Sequence, residues 1–271
     1  MMLHLHRTRL TIEKFVYEKG TNVALYVAEH SKPYVNIQKD IEKALNGQIA
    51  YVAQYKSHLP LLINLAKAAN SPLMNQISVL LATKRLSNDV EFSAYLVWAG
   101  EQGGQAALDK LGIQGIFGLK NEALITYFNN YSNLIIDKID DYTKEWIAKK
   151  IQDGKVAGKT PFEIQQMLIE DGKGISAIRA ERIVLTETAQ AMKVVENQAA
   201  QRYGIQEMIW RTSRDERVCP ICVPLEGKEK KIGGTYPDGY DGPPAHVSCR
   251  CYEEEVIPDQ WLPPDKVWLG N

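Results

Sequence analysis

The sequence predicts a mainly α-helical protein, in which a multi-helix N-terminal and central region is followed by a small, loop-rich α+β module. Apolar residues recur at intervals of three and four through most of residues 1–204, which is typical of amphipathic helices. After Gly204 this spacing gives way to alternation, and turn-forming glycines and prolines become frequent. All four cysteines lie between residues 219 and 251, which indicates a module pinned by a metal ion.

Length and composition restrict the class of protein. A chain of 271 residues can form one large or two modest domains. Its formal net charge of −1 gives no indication of nucleic-acid binding, and no run approaches the roughly 18 apolar residues that span a bilayer. The first ten residues lack the apolar segment of a signal peptide. We therefore expect a protein without a membrane segment that is made and kept in the cytoplasm.

Residues 1–118 are predicted to form an N-terminal helical region without a chemical motif. Its last part, residues 100–118, is rich in glycine and is interpreted as an irregular connection between two helical parts. The glycines do not have the spacing of a dinucleotide-binding loop. The histidines of this region are scattered and are interpreted as surface or packing residues; they are His4, His6, His30 and His58.

A long amphipathic helix is predicted over residues 121–152, ending around Gly154 and Gly158. The next helix is predicted to begin at Thr160-Pro161. Thr160 can cap the helix, Pro161 suits the first turn, and Glu163 can complete a capping box.

Two glycines, Gly172 and Gly174, are predicted to end that helix after three turns. A further helix is then predicted over residues 176–203, with Gly204 as its stop.

The segment after Gly204 predicts short strands and loops. Met208, Trp210 and Thr212 alternate with their neighbours as in a strand, and residues 249–256 predict a second strand. Residues 257–271 form a Pro- and Trp-rich tail without periodicity.

A cluster of cysteines and one histidine carries the main chemical signal. Cys219 and Cys222 form a C-x-x-C pair, which is answered by His246, Cys249 and Cys251. Two soft ligands followed by a second cluster across a loop is the arrangement of a tetrahedral structural zinc site. The preferred ligands are Cys219, Cys222, His246 and Cys249. Cys251 is the alternate and would replace His246 or Cys249.

Other interpretations of the cysteines stay open at this point. They include two disulfides, reduced packing cysteines and a redox C-x-x-C pair, although the redox motif should open a helix. Catalysis is not expected, because the chain lacks the His-x-Glu motif of zinc deaminases and the additional histidines of an HNH nuclease. The run Glu253-Glu254-Glu255 is interpreted as a solvated face.

Further polar and aromatic residues are candidates for contacts with a partner protein. Asp215 can orient the loop before Cys219 through backbone N–H groups. Pairing within the chain is the alternative for the helical charged residues, and packing on their own domain is the alternative for the tryptophans. The candidate docking residues are Arg179, Arg182, Glu187, Asp215, Trp261 and Trp268.

The loop region is also locally basic. Acidic residues are interleaved with these bases, which favours a solvated mixed-charge surface over a phosphate-binding one. The basic residues are Arg211, Arg214, Arg217, Lys228, Lys230 and Lys231.

Four segments together resemble the Mu F-like phage head-morphogenesis domain: Arg179–Thr188, Trp210–Cys222, Leu225–Gly227 and Pro243–Cys251. That family is similar in having a helix with a T-E pair, a W-x-T-x-x-D-x-x-V-C-x-x-C segment and a closing P-P-x-H-x-x-C-R-C. One departure is Val247, where the family often has proline.

The resemblance covers residues 119–256, which are therefore expected to form the Mu F-like domain, with helices at 119–204 and a strand and metal-loop module at 205–256. Residues 1–118 match no quoted motif, and residues 257–271 are expected to be a tail.

The resemblance implies a structural and assembly component of a tailed-phage head. Such a minor head protein, or minor capsid protein, is present in few copies, is associated with the portal vertex, and acts in head morphogenesis, genome packaging or delivery. It implies the portal and major capsid proteins as partners, with phage DNA as a further contact. It also implies location in the virion after assembly in the host bacterial cytoplasm. The rival hypothesis is a zinc-dependent nucleic-acid-binding module or nuclease.

Overall fold

A computed structural model of the chain describes residues 31–54, 59–66, 70–88 and 90–263. It confirms a mainly α-helical protein with a small three-stranded sheet near the C-terminal end. No helix in these ranges is long and apolar enough to cross a membrane. The helices are α1 Lys32–Gln54, α2 Leu59–Leu65, α3 Asn70–Leu81, α4 Phe92–Lys110, α5 Glu122–Val156 and α6 Pro161–Arg202; the strands are β1 Glu207–Arg211, β2 Glu229–Lys231 and β3 Tyr252–Glu255.

The chain forms two compact units that interleave along the sequence. The helical unit contains residues 35–93 and 129–181, and the sheet unit contains the described residues of 31–34, 94–128 and 182–263. Helices α5 and α6 each have one part in the helical unit and the other part in the sheet unit. The division of the sequence into residues 1–118, 119–256 and 257–271 stays a prediction.

The helical unit is built around one apolar cluster. Its buried residues come from α1, α2, α3, α5 and α6, so the apolar faces of these helices pack against one another. They are Ile49, Val52, Ala53, Leu59, Leu62, Leu73, Ile77, Leu80, Leu81, Ile147, Ala148, Ile151, Ile164 and Leu168.

The predicted break at Gly172 and Gly174 is wrong, because α6 continues through both residues as one helix of 42 residues. A glycine that ends a helix usually has a positive φ, and neither of these two does. Gly172 instead permits a close approach: a Cβ atom there would lie 2.9 Å from Cγ2 of Ile49.

The predicted start of α6 is confirmed. The backbone N–H of Thr160 donates to Oε2 of Glu163 at 2.7 Å, and the N–H of Glu163 donates to Oγ1 of Thr160 at 3.3 Å. This reciprocal pair is a capping box, and Pro161 follows as the first helical residue.

Helix α5 ends where the sequence predicts, between Gly154 and Gly158. It continues through Gly154 to Val156, and Gly158 then takes a positive φ of 70°. The N–H of Lys159 donates to the carbonyl oxygen of Gly154 at 2.9 Å, which closes the helix in the manner of a Schellman turn.

The glycine-rich segment at 100–118 differs from the prediction, because α4 runs through its first half as far as Lys110. A Cβ at Gly103 would lie 2.2 Å from the carbonyl oxygen of Met192, and one at Gly104 would lie 2.3 Å from Cε1 of Phe117. The glycines therefore serve close helix packing, and the irregular connection is confined to the residues between α4 and α5.

The sheet has the order β2-β1-β3 and is antiparallel throughout. The strand prediction is confirmed at Met208 and Trp210, whose side chains are fully buried on one face of β1. Thr212, the third residue of that prediction, follows the end of the strand. The second predicted strand is confirmed for Tyr252–Glu255 only. Strand β2 was not predicted, because three charged residues show no apolar alternation.

Candidate metal centre

The first pair of donors lies in a tight turn. The N–H of Cys222 donates to the carbonyl oxygen of Cys219 at 3.0 Å, and the N–H of Val223 donates to the same oxygen at 3.1 Å. A short 3₁₀-helix, Val223–Leu225, follows at once. This turn places the two sulfur atoms on one side of the loop, as the C-x-x-C spacing predicts.

A second turn supplies the returning donors. The N–H of Cys249 donates to the carbonyl oxygen of His246 at 3.1 Å, and Ser248 between them has a positive φ of 60°. The N–H of Ser248 also donates to Oγ1 of Thr186 on α6 at 3.0 Å. The sequence predicts that Cys249 and Cys251 lie on a strand. Both residues instead precede β3, and the turn sets their positions.

The hydrogen bond of His246 fixes its tautomer. Its Nδ1 lies 2.9 Å from the carbonyl oxygen of Val247, which can only accept, so Nδ1 carries the proton. The lone pair of Nε2 is then directed to the cysteines. Metal-binding histidines use this arrangement, in which the second ring nitrogen donates to a carbonyl oxygen.

The five donor atoms gather around Cys222. Nε2 of His246 lies 3.0 Å from Sγ of Cys219 and 3.4 Å from Sγ of Cys222, and Sγ of Cys222 lies 3.8 Å from Sγ of Cys249. Sulfur ligands of a tetrahedral zinc ion, bound at about 2.3 Å, are themselves about 3.8 Å apart.

Two groups of three residues have all their donor atoms within 4.8 Å of one another. One group is Cys219, Cys222 and His246, and the other is Cys222, Cys249 and Cys251. No disulfide joins the four cysteines, all of which lie among the described residues. The donors fit a metal ion, as predicted, and the sulfur atoms of Cys249 and Cys251 both lie within reach of an ion bound by Cys222.

The surroundings of the sulfur atoms differ. The hydrogen bond from Cys251 lowers the pKa of Cys249 to about 5, whereas burial and the neighbouring Cys249 raise the pKa of Cys222 to about 12. Cys222, Cys249 and Cys251 are buried, while Cys219 and His246 are half-buried. A metal ion binds the deprotonated sulfur, so it would stabilise thiolates that burial alone disfavours.

A small apolar cluster surrounds the buried cysteines of the candidate metal centre. Trp210 is fully buried and makes an edge-to-face contact with Tyr236, with ring centroids 5.1 Å apart. Leu225, Cys222, Cys249 and Cys251 complete the buried part of this cluster. Because the cluster is so small, it contributes little burial energy to hold the two turns together.

Asp215 holds the segment before Cys219 in the way that the sequence predicted. Its Oδ1 accepts the backbone N–H of Arg217 at 3.0 Å and accepts from Nη2 of Arg250 at 2.7 Å. The Arg250 guanidinium holds the pKa of this carboxyl well below its usual range. Arg250 lies between Cys249 and Cys251, so this ion pair links the two turns.

The other candidate docking residues have different surroundings, and their docking role stays a prediction. Arg179 is buried and donates to Oγ1 of Thr143 and the carbonyl oxygen of Ile139, and Glu187 is also buried. Arg182 is exposed.

Nε1 of Trp261 donates to the carbonyl oxygen of Tyr203 at 2.7 Å. This contact favours the alternative interpretation of Trp261, in which it packs on its own domain. Trp268 and all four histidines of the N-terminal region, His4, His6, His30 and His58, lie outside the described residues.

The sequence did not predict a partly buried network of charges beside the sheet. Lys110 pairs with Glu196 and, at 3.4 Å, with Glu255, and Nζ of Lys230 lies 3.0 Å from Glu253. The prediction of a solvated acidic face is therefore wrong for Glu253 and Glu255, although Glu254 is exposed. The sequence could have indicated this burial, because residues two apart on a strand, such as Glu253 and Glu255, point to the same face of the sheet.

The half-buried Lys110 and its carboxylate partners shift one another's pKa. Burial lowers the pKa of Lys110, but the two carboxylates outweigh it and the pKa is raised. Burial raises the pKa of Glu196 to about 7 against the opposing effect of Lys110.

The fold and the site together define a helical protein with a small module whose cysteines and histidine could hold a metal ion. Residues 145–253 match the family described as phage Mu protein F like protein. The match confirms the resemblance and includes all five donors. No curated protein and no solved structure gives a significant match. The family points to a protein of phage head morphogenesis that is associated with other head proteins in the virion.

Proposed function

We propose that the protein is a few-copy minor head protein of a tailed phage, associated with the portal vertex. It acts in head morphogenesis, genome packaging or delivery after assembly in the host bacterial cytoplasm, with the portal and major capsid proteins as its partners. The observation that carries this proposal is the family match over residues 145–253, which includes the whole metal centre.

Zinc is the proposed ion, and its proposed role is structural. Thiolate and imidazole donors favour zinc among the common divalent ions, and the 3.8 Å sulfur separation suits tetrahedral binding. The ion would join the turn of Cys219 and Cys222 to the turn of His246 and Cys249. This supplies the cohesion that the small apolar cluster of the module lacks.

We propose no catalytic role for this centre. Four protein ligands leave no position at which water or substrate can bind the ion. The carboxylates that follow Cys251 are already engaged: Glu253 contacts Lys230 and accepts from the hydroxyl of Tyr236 at 3.0 Å, and Glu255 contacts Lys110.

The basic residues of the module are largely paired with acids, which supports a solvated mixed-charge surface. Arg211 pairs with Glu254, Arg214 pairs with Glu226 at 2.9 Å, and the guanidinium of Arg217 lies 3.7 Å from Asp215. Contact with phage DNA is therefore the weaker part of the proposal.

Particles made by the phage or prophage that encodes the chain test the proposed function. We expect mass spectrometry of purified heads, with and without packaged DNA, to find the chain at a small fraction of the major capsid protein. Deletion of its gene should reduce the yield of infectious particles, and the wild-type chain should restore it better than Cys222→Ser. Absence of the chain from purified heads would refute the proposal.

A binding experiment separates the nucleic-acid hypothesis. The purified chain is expected to bind double-stranded DNA weakly, whereas tight binding that falls steeply between about 50 and 200 mM salt would support the rival function. Cleavage of DNA that is abolished by His246→Ala would support a nuclease.

A further inference from the structure

We propose that Cys251 is a fifth donor of the metal centre, which can bind the ion in place of another ligand. Cys222 is then the one ligand that no other donor can replace. This inference rests on the proposed metal site. It assigns two exchangeable ligand sets in place of one fixed set.

The position of Cys222 carries the argument. It belongs to both groups of closely spaced donors, and the two groups share no other residue. Cys219 and His246 are half-buried and form one group with it, while Cys249 and Cys251 are buried and form the other. An ion bound to Cys222 can therefore draw its remaining three ligands from both pairs.

Cys251 is placed as firmly as the preferred donors. It is 5% exposed and directly precedes β3, whose first residue Tyr252 pairs with Arg211 of β1. Cys249 is held by its hydrogen bond to His246. Both sulfur atoms lie within 4.8 Å of the sulfur of Cys222 and of each other, so neither is excluded by reach.

The number of donors gives the consequence. Five donors surround a centre that needs four ligands. Loss of any donor except Cys222 still leaves a complete set of four. Loss of Cys222 also leaves four donors, but they are two pairs from separate groups with no shared residue to join them.

The alternative is that Cys251 acts only as a packing residue. It lies in the apolar cluster with Trp210, Leu225 and Tyr236, where a buried thiol needs no metal. In that case its replacement would lower the stability of the chain and leave the ligands of the ion unchanged. A measurement that counts the bound thiolates distinguishes these two roles.

The experiment uses the full-length chain and its Cys222→Ser, Cys249→Ser and Cys251→Ser variants. Zinc per chain is measured by elemental mass spectrometry, and zinc affinity by competition with a chelator. The sulfur-to-metal absorption of the cobalt(II) form reports how many thiolates bind. Cys251→Ala repeats the test without a buried hydroxyl, and far-UV circular dichroism checks that each variant keeps its helices.

We expect Cys249→Ser and Cys251→Ser each to retain about one ion with three bound thiolates, at an affinity within about 10-fold of the wild-type chain. Cys222→Ser and the double variant Cys249→Ser/Cys251→Ser should lose more than about 100-fold.

Two results would overturn the inference. If Cys249→Ser loses the ion while both Cys251 variants keep the wild-type affinity and cobalt spectrum, the ligand set is fixed and Cys251 is a packing residue. If the wild-type chain itself binds neither zinc nor cobalt, the proposed metal site fails together with the inference.

Discussion

An alanine at Gly103 tests the packing of α4 against α6 in the sheet unit. Its Cβ would lie 2.2 Å from the carbonyl oxygen and 2.6 Å from the Cα atom of Met192. This is well below the 3.0 Å that real Cβ contacts keep and about 1.2 Å short of an ordinary van der Waals contact of 3.4 Å, so the two helices would have to move apart here. The obstacle is backbone, which cannot rotate away as a side chain can.

The expected magnitude combines two opposing effects. Overpacking costs about 1–3 kcal/mol, and a rigid obstacle places Gly103→Ala at the upper end. Alanine recovers about 0.5–1 kcal/mol because it loses less backbone freedom in a helix than glycine. We therefore expect a net destabilisation of about 2 kcal/mol, which corresponds to a fall in Tm of about 4–8 °C.

Gly47→Ala is the matched control, because Gly47 lies inside α1 with nothing within 4 Å of its Cβ position. It should stabilise the chain by about 0.5–1 kcal/mol. Urea and thermal unfolding, followed by far-UV circular dichroism, measure both variants. The reasoning is refuted if Gly103→Ala raises the stability as Gly47→Ala does.

Three further predictions address the buried charges, the helix cap and the metal. Lys110→Met removes the cation between the half-buried Glu196 and the buried Glu255 and should cost about 3 kcal/mol in urea unfolding. Lys149→Met at an exposed pair should change the free energy of unfolding by less than about 0.5 kcal/mol, and equal effects of the two variants would contradict the charge network. Thr160→Ala removes the cap of α6 and should cost about 1 kcal/mol. Hydrogen bonds from Thr160 hold the pKa of Glu163 below its usual value, so the stability that Glu163 contributes is present above pH 4.5 and is lost as the pH falls through the lowered pKa; a Thr160→Ala chain with the same loss in acid would argue against the capping box. Zinc at 100 times its dissociation constant should stabilise the chelator-treated chain by about 2.7 kcal/mol in thermal unfolding, and no zinc-dependent change in Tm would count against the metal site.

The helices were predictable because their apolar periodicity is local, and the cap of α6 was predictable from three neighbouring residues. The glycines were not, since a sequence does not show whether a glycine ends a helix or lets another element approach. Gly103 and Gly172 do the latter, and the obstacles that identify them lie far away in the chain, at Met192 and Ile49.

The donors of the candidate site could be identified from the sequence because their spacing and residue types are specific. The choice between Cys249 and Cys251 could not be made, since it depends on how two separate turns meet around Cys222. The pairing of Lys110 with Glu196 and Glu255 was also hidden, because its members come from distant parts of the chain.

The most direct test of the central claim is the metal content of the purified wild-type chain, measured by elemental mass spectrometry beside Cys222→Ser. A structural centre predicts about one zinc per wild-type chain and a loss of both zinc and thermal stability in the variant. A wild-type chain without metal, whose thiols do not react under non-reducing conditions, would contradict the account and indicate disulfides between the cysteines.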